Sequence, residues 1–209
     1  MKTNSKFKKV AIQAVKEAGK ILKQHFRKPL RVSFKKCFSL VTPVDFKAER
    51  IIIKLIKKNF PSHDILAEER GGKIGRNYTW LIDALDGTTN YVKKVPFFAV
   101  SLALLYRRKL ILGAVFNPVS QELYFAEKGR GVFLNGKRVK INGKRVKIKQ
   151  QQNLSRSTIL FAKGRSKRSF MKFCQILKKV GKQCRAFRFW GSSSLEFCHV
   201  ASGEIDGLD

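Results

Sequence analysis

Two amphipathic helical stretches followed by a succession of short apolar runs constrain this chain more than any other feature. Residues 7–26 set Phe7, Val10, Ala11, Ala14, Val15, Ala18, Ile21, Leu22 and Phe26 at helical spacing with lysines between them. That periodicity predicts a helix with one buried stripe. A second helix is predicted over 43–59, with Val44, Ala48, Ile51, Ile52, Leu55 and Ile56 turned inward and Pro61-Ser62 ending it. Strands are predicted at 65–67, 80–83, 97–106, 111–117 and 123–126, then at 158–161 and 184–189, with helices at 170–180 and 192–201. A striped helix must bury its stripe, and the run of strands supplies a sheet to bury it on. The fold class is therefore α/β, with layered α and β elements. The longest apolar run, residues 95–106, is shorter than the ~18 residues a membrane span requires. It reads as a buried strand, and no membrane association is expected.

At 209 residues and 44% apolar content, the chain has enough material for one sizeable core. No linker rich in Pro, Gly or Ser divides it, so 1–209 is read as one domain. Four cysteines, Cys37, Cys174, Cys184 and Cys198, form no CxxC pair, and His25, His63 and His199 show no metal-binding spacing. Both observations speak against zinc, and spread-out cysteines fit reduced thiols. The N-terminus lacks the apolar core of a secretory signal, so a cytoplasmic location is expected.

The formal net charge is +31, from 45 Lys+Arg against 14 Asp+Glu. Such a field attracts phosphorylated substrates and nucleic acid. The cations are scattered rather than interleaved with aromatics on one element, so an ordinary lysine-coated surface explains them as well. A heptapeptide, Asn135-Gly-Lys-Arg-Val-Lys-Ile141, recurs at once as Asn142 to Ile148. Seven residues are too few for a solenoid repeat, and Asn-Gly is a turn dipeptide, so a duplicated surface hairpin is expected.

Against so basic a background, the position of the acids is informative. Asp64, Glu68, Glu69, Asp83 and Asp86 place five of the 14 acids within residues 64–86. Two predicted strands run directly into them: Ile65-Leu66-Ala67 into Glu68-Glu69, and Trp80-Leu81-Ile82 into Asp83-Ala84-Leu85-Asp86-Gly87-Thr88-Thr89-Asn90. Strand ends on a rigid sheet can present several oxygens to one point, and carboxylates are what Mg²⁺ prefers. Asp83, Asp86 and the Leu85 carbonyl, arranged across a tight turn, can face a metal pair that clamps both oxygens of an in-line displacement. Gly87 permits close backbone approach, and Thr88 and Thr89 open a short helix whose N–H groups suit phosphate. A plain Asp-Gly turn capped by threonine is the competing reading. Asp45 has a structural account of its own, because Thr42-Pro43-Val44-Asp45 is a helix start with a capping box.

Taken together, these residues resemble the inositol monophosphatase family. The likeness runs through Val41-Thr-Pro-Val-Asp45, Leu66-Ala-Glu-Glu69 and Trp80-Leu-Ile-Asp-Ala-Leu-Asp-Gly-Thr-Thr-Asn90. It continues through Pro96-Phe-Phe-Ala-Val-Ser101, Gly113-Ala-Val-Phe-Asn-Pro118 and Glu127-Lys-Gly-Arg-Gly-Val-Phe-Leu-Asn-Gly136. It ends in Gly191-Ser-Ser-Ser-Leu195, Val200-Ala-Ser-Gly203 and Asp206-Gly207. Ala67 stands where the family has glycine, Ala84 where it has proline, and Ser39 at a common aspartate position. The nearest likeness is to the bacterial inositol-1-monophosphatase type.

The resemblance implies the αβαβα sandwich of the inositol monophosphatase and fructose-1,6-bisphosphatase superfamily, and Mg²⁺ as cofactor. Glu68, Asp83, the Leu85 carbonyl and Asp86 would be metal ligands, with Glu69 beside them. Asp45 and Thr88 would orient and help activate the attacking water. Gly87, Thr88 and Thr89 would hold phosphate, Lys35 would lie near the site, and Gly191 and Ser193 would lie near the substrate's sugar or polyol. The implied reaction is hydrolysis of a phosphomonoester, inositol 1-phosphate first, by a homodimer. Fructose 1,6-bisphosphatase activity, 3′-phosphonucleotide phosphatase activity, or a non-catalytic contact with RNA or a transcription complex are the alternatives. Family members carry a further quarter of chain with a WDxAAG motif that completes the second metal site, so the present sequence is expected to lack that segment, and with it full activity.

Overall fold

The computed structural model describes residues 5–35, 39–141, 144–145, 153–161 and 166–208. Cys37, both ends of the second heptapeptide copy (142–143 and 146–148) and Asp209 lie outside the described residues. The chain opens with α1 (Ser5–His25), a hairpin of β1 (Ser33–Phe34) and β2 (Leu40–Val41), and α2 (Pro43–Asn59). Then come β3 (Asp64–Ala67), β4 (Gly71–Gly72), β5 (Tyr78–Asp86) and the short α3 (Thr88–Val92). A meander follows through β6 (Ala99–Tyr106), β7 (Lys109–Asn117), β8 (Glu122–Glu127), β9 (Gly131–Leu134) and β10 (Lys137–Arg138). After β11 (Lys140–Ile141) and β12 (Lys144–Arg145) the chain forms β13 (Thr158–Leu160), α4 (Lys167–Val180), β14 (Ala186–Arg188), α5 (Ser193–Ser202) and β15 (Gly207–Leu208).

The large sheet has eight strands in the order β10-β9-β8-β7-β6-β5-β3-β4. All neighbours are antiparallel except β3 and β5, which run parallel. α1 and α2 pack side by side on one face of it. The stripe expected of α1 is buried from Phe7 through Leu22, and α2 buries Val44, Ala48, Ile52 and Ile56. These side chains meet Trp80, Ile82, Val100, Leu102, Leu104, Leu112, Ala114 and Phe116 in one core. Each fully buried Leu or Ile there stabilises the fold by about 1.5–3 kcal/mol. Gly19 lets the helix close on the sheet: a Cβ there would stand 2.6 Å from the Phe116 ring.

On the opposite face, α5 packs against β6 and β7 and also against β15 of a second, three-stranded parallel sheet ordered β14-β13-β15. α4 covers that smaller sheet through Phe173, which meets Phe161 and Phe189. Helix pair, large sheet, α5, small sheet and α4 give the five expected layers. Boundaries differ in detail. Phe97 and Phe98 precede β6 instead of opening it, and β14 is confined to Ala186–Arg188, because Cys184 belongs to the turn that ends α4. Asn135 and Gly136 both take positive φ, 48° and 80°, and turn β9 back on β10 as the first heptapeptide copy predicts. The last two residues of the first copy, Lys140–Ile141, pair antiparallel with Lys144–Arg145 in the middle of the second, as β11 and β12.

Candidate active site

The acids gather because of strand register. β3 pairs in parallel with β5 so that Ala67 lies beside Ile82, and the Glu68 N–H donates to the Ile82 carbonyl at 3.0 Å. Glu68 therefore emerges next to Asp83. On the other side of β5, Asp83 stands opposite Ser101 and Asp86 opposite Ala99, with a bulge between them. In a regular strand, residues three apart point to opposite faces. The bulge inserts one extra residue and restores the parity, so both aspartates face away from the α1–α2 core. The sequence led us to expect a tight turn between them; the strand instead continues through the bulge, and the turn comes at Gly87.

Gly87 has φ +88°, and a Cβ on it would stand 3.1 Å from the Phe97 carbonyl oxygen and 3.2 Å from the Gly191 carbonyl oxygen. Close approach and left-handed backbone together restrict this position to glycine. The Thr88 hydroxyl donates to the Leu85 carbonyl at 3.0 Å, and the Leu85 N–H donates to Asp83 Oδ1 at 3.1 Å. Asp86 Oδ2 accepts from the Ser192 hydroxyl at 2.6 Å, from the Ser194 N–H at 2.7 Å and from the Ser194 hydroxyl. These bonds fasten the start of α5 to the end of β5. Glu196 closes the same corner by accepting the Trp190 and Gly191 N–H groups at 3.0 and 2.9 Å.

Lys35 lies against the two glutamates that follow β3. Its Nζ is 2.9 Å from Glu68 Oε1 and 2.6 Å from Glu69 Oε1. Burial pulls its pKa down, but the bonds to Glu69 and Glu68 outweigh that, and the net shift is upward. Beneath the pair, the fully buried Glu49 accepts the Glu69 N–H at 2.9 Å, and its other oxygen is 3.6 Å from Arg70 Nε. Asp45 is placed as the capping-box reading requires. Its Oδ2 accepts the Thr42 N–H at 3.0 Å and the Thr42 hydroxyl at 2.6 Å. Burial, partly opposed by those bonds, raises its carboxyl to about 6.

Glu68, Asp83, Leu85, Asp86, Gly87, Thr88, Thr89, Gly191 and Ser193 line one cavity of about 410 Å³. Lys35 and Glu69 adjoin it through Glu68. Asp45 is not among the lining residues, although it feels the charge of Glu69. Burial raises the Asp83 carboxyl well above the ordinary range, and the charges of Asp86 and Glu68 raise it further. Oxygen donors that repel one another in a strongly basic protein are what a hard divalent cation neutralises, so the donor set fits Mg²⁺. Among the described residues no three acids, histidines or cysteines converge as they stand to hold an ion. Lys35 draws Glu68 toward Glu69, and the serines hold Asp86. His63 is a core residue, accepting from the Trp80 ring N–H at 3.1 Å.

Glu49, Ser192, Ser194 and Glu196 escaped the sequence reading. Glu49 carried a signal, since an acid sits within the apolar stripe of α2, one turn after Asp45. The serines carried none, because their partner Asp86 lies 106 and 108 residues away.

Five alternating layers, with carboxylates from two strand ends opening on one cavity, define the class of this protein. Residues 3–208 match the model of the inositol monophosphatase family, and the chain belongs to that family. It is 34% identical over 206 residues to the Nus factor SuhB of Salmonella typhimurium, covering 95% of this chain and 74% of that one. It is 35% identical over 208 residues to inositol monophosphatase 2 of Solanum lycopersicum, covering 96% and 76%. The extragenic suppressor protein suhB of Bartonella henselae superposes with a TM-score of 0.87 at 31% identity, covering 97% of this chain and 77% of that structure.

Proposed function

We propose that this chain carries the site of a Mg²⁺-dependent phosphomonoesterase. The observation that carries the reading is the bulge in β5, which turns Asp83 and Asp86 to one face beside Glu68. Glu68, Asp83, the Leu85 carbonyl and Asp86 would hold the metal, which when bound supplies the positive charge that phosphoryl transfer needs. Thr88 orients the attacking water; Asp45, capped onto Thr42 outside the cavity lining, would have to turn inward to join it, and Glu69 sets the position of Glu68 through their shared bond to Lys35. Gly87, Thr88 and Thr89 receive the phosphate at the start of α3. Gly191 and Ser193 face the leaving group. Inositol 1-phosphate is the reference substrate for a member of this family. Release of inorganic phosphate is the test: turnover requires Mg²⁺, and Asp86→Asn lowers it at least ~100-fold. Turnover in EDTA, or an active Asp86→Asn enzyme, sinks the reading.

A second reading rests on a separate observation. The outward residues of α1 and α2 include Lys6, Lys9, Lys16, Lys20, Lys47, Arg50, Lys54 and Lys58, and neither helix exposes an acid fully. Such a face would hold nucleic acid by its phosphates. Affinity for RNA that falls steeply with salt and survives Asp86→Asn would support it. Charge-reversed helix residues that leave RNA affinity unchanged would remove it. The resemblance also implies a homodimer. Exposed Met171 and Phe197 supply apolar surface for one, and sedimentation velocity measures it. Among the described residues Cys174, Cys184 and Cys198 form no disulfide, and no helix among the described residues is long and apolar enough to cross a membrane.

A further inference from the structure

Glu68, Glu69 and Arg70 form the turn between β3 and β4, because Ala67 pairs with Gly71 across them. The hairpin's own packing does little to fix that turn. β4 is only Gly71–Gly72, it lies at the edge of the large sheet, and it has no side chain to bury. Bonds to two other elements hold the turn's backbone instead. The Glu68 N–H donates to the Ile82 carbonyl of β5 at 3.0 Å, which ties the turn to the sheet. The Glu69 N–H donates to Glu49 Oε2 at 2.9 Å, which ties it to α2.

Glu49 is fully buried. A carboxylate in such a place loses its hydration and depends on the partners that replace it. The partners of Glu49, the Glu69 N–H and the Arg70 guanidinium, both come from the turn. Oε1 has no hydrogen-bond donor among the described residues and faces Arg70 Nε at 3.6 Å. An apolar side chain at this position in the stripe of α2 would be buried without that cost. What the acid contributes, it therefore contributes to the turn. The turn needs an anchor, because Glu68 and Glu69 share the single cation of Lys35 at 2.9 and 2.6 Å, and like charges held this close repel.

We propose that Glu49 is a positioning residue for the metal site: it clamps the Glu69 N–H to α2 and so sets where Glu68 and Glu69 present their carboxylates. The inference rests on the Mg²⁺ reading of the cavity and adds a residue outside the cavity lining on which that site's geometry depends. Loss of a partner behind a metal ligand weakens metal affinity by roughly 10–100-fold.

Calorimetry of Mg²⁺ into wild type, Glu49→Leu and Glu49→Gln tests it. Glu49→Leu removes the acceptor and should weaken Mg²⁺ binding about tenfold or more. Glu49→Gln keeps an oxygen for the Glu69 N–H and should recover most of that loss. The Mg²⁺ concentration for half-maximal phosphate release should rise in Glu49→Leu by the same factor, while KM for inositol 1-phosphate in saturating Mg²⁺ stays at its wild-type value. A rise in both would mark general damage to the fold and overturn the inference. Unchanged Mg²⁺ affinity in Glu49→Leu, or a loss in Glu49→Gln as large as in Glu49→Leu, also overturns it and leaves the metal reading standing. Absence of Mg²⁺ binding to wild type overturns that reading, and this inference with it. Hydrogen exchange followed by NMR on the metal-free wild type needs no variant: the Glu69 amide should exchange slowly, and exchange as fast as an unprotected turn amide would show that the clamp does not hold.

Discussion

Gly87 joins most of the site's constraints in one residue. Its left-handed backbone ends β5, starts α3 and brings the chain against the Phe97 and Gly191 carbonyls. Gly87→Ala should lower unfolding free energy by about 1–3 kcal/mol, since a non-glycine residue at positive φ is strained before any contact is counted. Chemical denaturation measures this, and unchanged stability would show that the turn can relax. Glycine, aspartate and threonine could be identified here from sequence because their chemistry is local. The interaction of Asp86 with Ser192 and Ser194 could not, because only the folded chain brings β5 and the start of α5 together. Asp45 admitted two readings at the level of residue type, and its observed bonds are those of a helix cap.

At the scale of elements, the helices and the large sheet were legible because their periodicities are strong and their faces differ. α1 and α2 fall where the stripes of apolar residues place them. The bulge in β5 was not legible. No residue type marks it, and only pairing with β6 reveals that three steps on one strand match two on the other. The short strands β1, β2, β4 and β15 were also missed, since two residues carry no period. Contact between α1 and β7 depends on the missing side chain at Gly19. Gly19→Val should force the Phe116 ring aside and cost about 1–3 kcal/mol, seen as a lower thermal midpoint. A midpoint equal to wild type would mean that Phe116 has room to turn.

Over the whole molecule, a basic chain brings Glu68, Asp83, Asp86 and Glu196 together at one cavity. Burial raises Asp45 to about 6 from its ordinary 3.8, and burial with Asp86 and Glu68 raises Asp83 well above the same value. A carboxyl whose folded pKa exceeds its unfolded one binds more protons when folded. Its contribution to stability is present below the unfolded value and is lost as pH rises through the folded one. In EDTA, Asp83→Asn should therefore be more stable than wild type at neutral pH, with the advantage shrinking as pH falls toward 4. Taking the difference between the two proteins cancels the general repulsion of a +31 chain. A Mg²⁺ site formed by the strand-end carboxylates can be measured by titration calorimetry of Mg²⁺ into the metal-free protein. We expect saturable binding to wild type, accompanied by a rise in thermal midpoint, with both lost in Asp83→Asn and Asp86→Asn. Mg²⁺ binding that persists in both variants, or is absent from wild type, would contradict it.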